Sequence, residues 1–156
     1  MDFILHPLTK EEARVIAGWC YDPPYAFYNA ENDPDDLAEL LQCEELDDVY
    51  YAVVDAADTL VGFFCFYRHA DRVDIGLGMR PDLTGRGLGR NFVMAGLTFA
   101  QQRFAPPCFR LAVAIFNERA IRVYRATGFQ KGRVFLQRTN GGEVEFVEMT
   151  RSAELD

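Results

Sequence analysis

The sequence predicts a single α+β domain (α/β mixed) in which helices flank a central mixed β-sheet. Segments with the period of strands and segments with the period of helices succeed each other in the order β-α-α-β-β-β-α-β-α-β-β, with neither type confined to one block. The 156 residues contain no repeat, low-complexity tract or Gly/Ser linker. We therefore expect one domain over residues 1–156.

Residues 1–48 contain one strand and two helices in this prediction. Thr9 followed by Glu12 forms the pattern of a capping box, which starts a helix. Pro, Asn and Asp residues then indicate a long loop. The predicted elements are a strand over 3–6, a helix over about 10–20, a loop over 21–34 and a helix over 35–42.

The remaining chain is richer in strands. Pro106 and Pro107 end the first of its two helices, Asn117 caps the second, and Gly128 stops it. Asn140-Gly141 predicts a β-hairpin turn. Strands are expected over 50–55, 60–67, 72–79, 108–116, 129–138 and 143–150, and helices over about 88–104 and 117–128.

Composition excludes several classes of function. A net charge of −8 argues against a nucleic-acid-binding protein, because a phosphate backbone demands a basic surface. No apolar stretch reaches the ~18–20 residues that span a bilayer, and the N-terminus lacks the pattern of a signal peptide. The four cysteines form no C-x-x-C pair, so we expect no metal site and reduced thiols in the cytoplasm: Cys20, Cys43, Cys65 and Cys108.

The charge is divided unevenly along the chain. Residues 1–70 carry 3 basic and 15 acidic side chains, a net charge of −12, whereas residues 71–156 carry 13 basic and 9 acidic side chains, a net charge of +4. A basic half suits an anionic cofactor and an acidic half suits a cationic acceptor. A solvated acidic surface that keeps the protein soluble explains the same asymmetry.

A glycine-rich turn, PDLTGRGLG over 81–89, lies between a predicted strand and a predicted helix. Its glycines allow backbone N–H groups to point inward at a helix N-terminus, which makes an anion site, and Arg86 and Arg90 add charge suited to phosphate. Close packing of helix on strand is the structural alternative. The turn is not a Walker P-loop and lacks the third glycine of a dinucleotide fingerprint.

A second motif, N-E-R-A-I-R-V-Y-R-A-T-G-F over 117–129, follows the next strand. With it, residues 50–155 resemble the GNAT N-acetyltransferase superfamily, whose R/Q-x-x-G-x-G/A loop precedes an N-x-x-A-x-x-x-Y-x-x-x-G-F helix. Thr84 stands where that family usually has Arg or Gln. The matching residues are Thr84, Gly85, Arg86, Gly87, Leu88 and Gly89 in the turn, and Asn117, Ala120, Tyr124, Gly128 and Phe129 in the helix.

The resemblance implies that acetyl-CoA is the co-substrate and that residues 72–129 form its binding core. It implies that the backbone around Leu77 and Met79 holds the pantetheine, that the turn and Arg90 bind phosphates, and that Asn117 contacts the cofactor. In such enzymes a neutral amine attacks the thioester directly, and Tyr124 would protonate the departing thiolate. A nucleophilic Cys65 or Cys108 is the rival mechanism, although neither has a neighbouring His in sequence.

The chain also resembles ribosomal-protein N-terminal acetyltransferases, which often carry a glutamate on the strand before the Asn. Here that strand holds only apolar residues between Leu111 and Phe116, so the candidate base becomes Asp74, acting through water, or is absent. His69 is a weaker candidate. Gly76 and Gly78 share the face of Asp74, where they would clear either a ligand groove or space for a packed helix.

Residues 1–48 correspond to the acceptor side of the resemblance. An aromatic loop there either walls an amine site or seals the first helix onto the sheet: Trp19, Tyr21, Tyr25, Phe27 and Tyr28. The expected acceptor is a small amine, a polyamine or a peptide N-terminus, with no nucleic acid or membrane as partner. A non-catalytic acyl-CoA-binding sensor is the alternative function, and the pattern leaves open whether the chain forms a homodimer.

Overall fold

Seven strands and four α-helices form the regular structure of residues 2–139 and 142–154, which the computed structural model describes. The strands are β1 (Ile4–Pro7), β2 (Tyr50–Val54), β3 (Leu60–Arg68), β4 (Val73–Met79), β5 (Cys108–Ala114), β6 (Gln130–Thr139) and β7 (Gly142–Ser152). The helices are α1 (Lys10–Ala17), α2 (Pro34–Leu41), α3 (Gly89–Phe104) and α4 (Glu118–Ala126). None of these helices is both long and apolar enough to cross a bilayer.

All seven strands join one mixed sheet in the order β1-β2-β3-β4-β5-β7-β6. Every neighbouring pair is antiparallel except β4 and β5, which are parallel. A parallel pair needs a crossover connection, and α3 supplies it. The predicted fold class, a mixed sheet flanked by helices, is therefore confirmed.

Helices cover both faces of the sheet. The strand residues alternate between two apolar clusters, since Tyr51 and Val53 of β2 belong to the larger one and Tyr50 and Ala52 to the smaller one. The larger cluster joins the sheet to α3 and α4, and the smaller one joins it to α1 and α2. The element order thus places the glycine-rich turn and the second motif on the same face of the sheet.

Several predicted local features are confirmed. Thr9 and Glu12 form both hydrogen bonds of a capping box at α1, and Asn117 Oδ1 accepts the Ala120 N–H at the start of α4. Gly128 has a φ of 98°, the left-handed conformation expected after a helix. The predicted Asn140-Gly141 turn lies outside the described residues, although β6 and β7 do pair as antiparallel neighbours.

Two predicted elements are too long. α1 ends at Ala17 rather than near 20, because Gly18 already serves as its C-cap. β5 ends at Ala114 rather than 116, since the chain turns there to bring Asn117 to its capping position. The predicted loop over 21–34 is also more ordered than expected, with short 3₁₀ helices at Tyr25–Tyr28 and Ala30–Asn32.

The packing of α3 on the sheet depends on Gly96, where a Cβ atom would collide with the ring of buried Phe64. We expect Gly96→Val to lower the free energy of unfolding by ~1–3 kcal/mol, as overpacking of a core does. Thr98→Val places the same side chain at an exposed position of α3, where it exchanges only a hydroxyl for a methyl group, and should change the free energy of unfolding by less than ~0.5 kcal/mol. Urea unfolding of both variants measures the difference, and equal stabilities would show that α3 can move away from the sheet.

Candidate active site

The candidate site is a gap between β4 and β5. The two strands pair at only two positions, Val73 with Phe109 and Asp74 with Arg110, and no pairing continues beyond them. On its other edge, β4 stays paired with β3 along its whole length. The gap therefore opens toward the C-terminal ends of both strands.

Backbone groups of β4 face this gap. Arg80 donates its N–H to the Val61 carbonyl at 2.8 Å, and the β3–β4 register has no shift. Alternate residues of an antiparallel strand bond to opposite sides. Leu77 and Met79 consequently present their N–H and C=O groups to the gap, as the predicted pantetheine contact requires.

Side chains of β3, rather than a helix, lie next to the two glycines of β4. A Cβ atom on Gly78 would collide with the ring of Phe63, and one on Gly76 would collide with Cys65 Sγ. These side chains belong to the directly opposite residues of β3. The glycines therefore make room for side chains of the neighbouring strand, and both remain partly exposed.

The glycine-rich turn has the conformation of an anion site. Gly85 and Gly87 have φ values of 72° and 78°, which other residues adopt rarely. Among the described residues, no backbone–backbone hydrogen bond has its donor between Gly85 and Asn91, and Leu88 at the N-cap of α3 provides no side-chain acceptor. Free N–H groups at a helix N-terminus attract phosphate.

Charge at this turn is also positive. Arg86 and Arg90 are exposed beside it, and the first turn of α3 contains no acidic residue. No salt bridge between described residues includes either arginine. Both side chains are therefore free to bind an anion.

Tyr124 of α4 is half-buried in the larger cluster, with its ring in edge contact with Phe129. No hydrogen bond between described residues involves its hydroxyl group. Burial, together with nearby Tyr28, raises the pKa of Tyr124 above its usual value. The hydroxyl thus keeps its proton at neutral pH and has no protein acceptor for it.

Asp74 lies at the closed end of the gap, three residues before Leu77 and so ~10 Å away along the strand. Its carboxylate pairs with Arg72 Nε at 2.8 Å, His69 Nε2 at 3.2 Å and Arg110 Nη1 at 3.7 Å. Asp74 and His69, the two candidate bases predicted from the sequence, are thus paired with each other. The ion pairs occupy the carboxylate, and its distance from Leu77 disfavours Asp74 as a base, because a general base must reach the proton that it removes.

The aromatic loop, residues 19–28, contacts both sides of the gap. The Tyr21 hydroxyl donates to the Met79 carbonyl at 2.7 Å, and Asn117 Nδ2 donates to the Tyr28 hydroxyl at 3.1 Å. Phe27 packs edge-on against Phe116, just after β5, at 5.4 Å between ring centroids. Of the two interpretations of this loop, the wall beside the site fits these residues, whereas Trp19 packs against the smaller cluster and helps to hold α1 on the sheet.

A cavity of about 400 Å³ lies between this loop and the glycine-rich turn. It is lined by Cys20, Tyr21, Asp22, Pro23, Tyr25, Pro81, Asp82, Thr84 and Arg119. Sequence reasoning missed Arg119, which lies between the fixed Asn117 and Ala120 of the motif. A signal was present, since a cation in the first turn of a helix opposes the helix dipole.

The cysteine mechanism finds no support here. Burial raises the pKa of the Cys65 thiol to about 12, so the nucleophilic thiolate is disfavoured at neutral pH. Cys108 donates its thiol to the Asp71 carbonyl at 3.4 Å, at the end of the strands remote from the gap opening. Among the described residues, no group of His, Cys, Asp and Glu side chains has an arrangement that would hold a metal ion.

Comparison with known proteins identifies one family. Residues 2–130 match the family described as the acetyltransferase (GNAT) domain. Mycothiol acetyltransferase from Actinosynnema mirum is 33% identical over 92 residues, which are 58% of this chain and 31% of that protein. The match thus spans about a third of that relative's length.

Solved structures share the fold over nearly the whole chain. Spermidine N-acetyltransferase from Vibrio cholerae, in complex with CoA and spermine, has a TM-score of 0.78 at 19% identity, covering 97% of this chain and 95% of that one. A putative phosphinothricin N-acetyltransferase has a TM-score of 0.73 at 11% identity, covering 99% and 100%. At these identities the likeness shows the fold alone.

Proposed function

The chain belongs to the GNAT acetyltransferase family, and we propose that it transfers the acetyl group of acetyl-CoA to a primary amine. One observation carries the proposal: the β4–β5 gap, with Leu77 and Met79 facing it, lies beside a turn with free N–H groups. A slot for an extended amide-bearing chain and a site for phosphates are the two features that acetyl-CoA needs.

Cofactor binding in this proposal uses the backbone more than side chains. The N–H and C=O groups of Leu77 and Met79 pair with the pantetheine amides as another strand would. Thr84 and the following residues to Leu88 surround the diphosphate, and Gly89 begins the helix whose positive end faces it. The Met79 carbonyl has two lone pairs, so it can keep the Tyr21 hydroxyl while it accepts a pantetheine amide.

The chemistry is a direct transfer. The amine nitrogen attacks the thioester carbonyl carbon, the C–S bond breaks, and the thiolate takes the proton of the Tyr124 hydroxyl. The attacking nitrogen loses its own proton to water. Tyr124 is the candidate acid because its hydroxyl carries a proton that no described residue accepts, so the proton is available to a thiolate that forms beside it. Burial raises the pKa of Tyr124 in the free protein, which makes the proton harder to release and does not itself favour the role.

A strong base is not required for every amine. An α-amino group with a pKa of ~7.7–8.0 is roughly a tenth neutral at pH 7, whereas an amine with a pKa of ~10.4 is neutral about once in several thousand molecules. We propose that no side chain acts as the base, since the ion pairs of Asp74 disfavour it. An alkyl amine of pKa ~10.4 then reacts through its small neutral fraction, so the rate should rise with pH. The pH profile of kcat should therefore be unchanged in Asp74→Asn, as expected if Asp74 is not the base.

A cationic acceptor fits the acidic first half of the chain. Desolvation and the carboxylates of Asp33, Glu39 and Asp35 raise the pKa of Asp36 to about 6, so repulsion is concentrated at α2. An ammonium group nearby would relieve it. We propose a polyamine or similar small polycation, in keeping with the spermidine N-acetyltransferases that share the fold. The finer resemblance to ribosomal-protein enzymes stays a prediction.

Acetyl-CoA should raise the melting temperature of the protein, because a ligand that binds only the native state stabilises it. Gly87→Glu should abolish this shift by placing a negative charge among the phosphate-binding N–H groups. Gly87→Gln has the same size and the same strained φ without the charge, and should retain part of the shift. Equal shifts in both variants, or a wild type that responds to ATP and not to acetyl-CoA, would contradict the proposed cofactor.

Tyr124→Phe should lower kcat by ~10²–10⁴-fold, the range typical of general acid–base catalysis, with the Kd of acetyl-CoA changed less than ~2-fold. A thiol-release assay with acetyl-CoA and a panel of polyamines and peptide N-termini measures it. Tyr51→Phe removes a tyrosine hydroxyl on β2, together with its hydrogen bond to Asp48, and should leave kcat unchanged as the control.

Two outcomes of the thiol-release assay would count against this account. An unchanged kcat in Tyr124→Phe, with chemistry rate-limiting, would reduce the hydroxyl to a packing feature. Tight binding of acetyl-CoA by the wild type with no thiol release for any amine would support the acyl-CoA-binding sensor instead.

A further inference from the structure

Arg119, the second residue of α4, lies against the glycine-rich turn. A Cβ atom on Gly85 would be 3.5 Å from Arg119 Nη1, so the guanidinium borders the turn directly. It also lines the cavity of about 400 Å³ together with Thr84 of the same turn. Among the three arginines near the turn, Arg119 is half-buried while Arg86 and Arg90 are exposed.

The guanidinium is held in place by an aromatic ring. Its central carbon lies 4.0 Å from the centroid of the Tyr25 ring. A guanidinium stacked on a ring keeps its N–H donors free at the edges, where they can form two parallel bonds to a phosphate. Because the side chain is already ordered, binding an anion costs little conformational entropy.

This charge has no anionic partner in the described part of the chain. No salt bridge there includes Arg119. Asp82, which lines the same cavity, is engaged by Arg80 at 2.6 Å. A half-buried cation at the positive end of a helix is unfavourable without a counter-charge. The arrangement therefore fits an anion that is supplied from outside.

We infer that Arg119 binds a phosphate group of the CoA moiety, opposite the N–H groups of the turn. The inference rests on the proposed function and adds to it a residue at a variable position of the family motif. Tyr25, which orders the guanidinium, belongs to the aromatic loop. Arg119 would thus contact both the phosphates of the cofactor and the aromatic loop on the acceptor side of the site.

Calorimetry with CoA tests the inference without catalysis. Arg119→Gln should raise the Kd of CoA roughly tenfold to a hundredfold, as loss of a charge-assisted hydrogen bond does, and Arg119→Lys should raise it less. Pantetheine, which lacks the diphosphate and nucleotide, should give the same thermal shift with wild type and Arg119→Gln at ~10 mM. Arg125→Gln removes the same charge from the exposed end of α4 and should leave both ligands unaffected.

Three results would overturn the assignment. Equal weakening of CoA and pantetheine in Arg119→Gln would make the residue a structural support. An unchanged Kd for CoA, with only the KM of the amine altered, would place Arg119 on the acceptor side with Asp22. A wild type that binds neither CoA nor pantetheine would instead refute the proposed function itself.

Discussion

The site depends on the early end of pairing between β4 and β5. The two strands are parallel neighbours for two residue pairs, ending with Asp74 and Arg110. Beyond that point Leu77 and Met79 present backbone groups to a gap, and unpaired backbone groups are costly to leave buried. The Tyr21 hydroxyl satisfies one of them, the Met79 carbonyl. A strand-like ligand with amide groups could pair with the others, and in the proposed function pantetheine is that ligand.

The separation of β4 from β5 also determines where the neighbouring helices and the aromatic loop lie. α3 follows β4 through the glycine-rich turn, and α4 follows β5 through Asn117. Each of the two strands beside the gap is therefore followed by a helix, and both helices pack on the same face of the sheet. The aromatic loop, which belongs to the acidic half of the chain, contacts both sides of the gap, through Tyr21 at the end of β4 and Tyr28 at Asn117 after β5. The proposed cofactor and acceptor sites thereby meet at the gap, although they come from halves of the chain with opposite net charge.

Local chemistry explains which features could be predicted from sequence. The capping box at Thr9, the cap at Asn117 and the left-handed glycines of the turn depend on residues a few positions apart, and all are present. The family resemblance placed Leu77 and Met79 at the cofactor, and their backbone does face the gap. Contacts between distant strands could not be read in this way. The register that puts Phe63 over Gly78, and the parallel pairing that brings Arg110 to Asp74, follow only from the assembled sheet. Arg119 was missed because its ring partner, Tyr25, is far away in sequence.

Hydrogen–deuterium exchange, with and without acetyl-CoA, tests most directly whether the gap between β4 and β5 is the cofactor slot. The account predicts slower exchange at the N–H groups of Leu77 and Met79 and across residues 85–91 when acetyl-CoA is bound, because these donors lack backbone partners in the free protein. The N–H groups of β2, which is buried and paired on both edges, should exchange at the same rate in both states. Protection confined to residues 85–91, with Leu77 and Met79 unchanged, would contradict the account, since the phosphates would then bind without the pantetheine entering the gap.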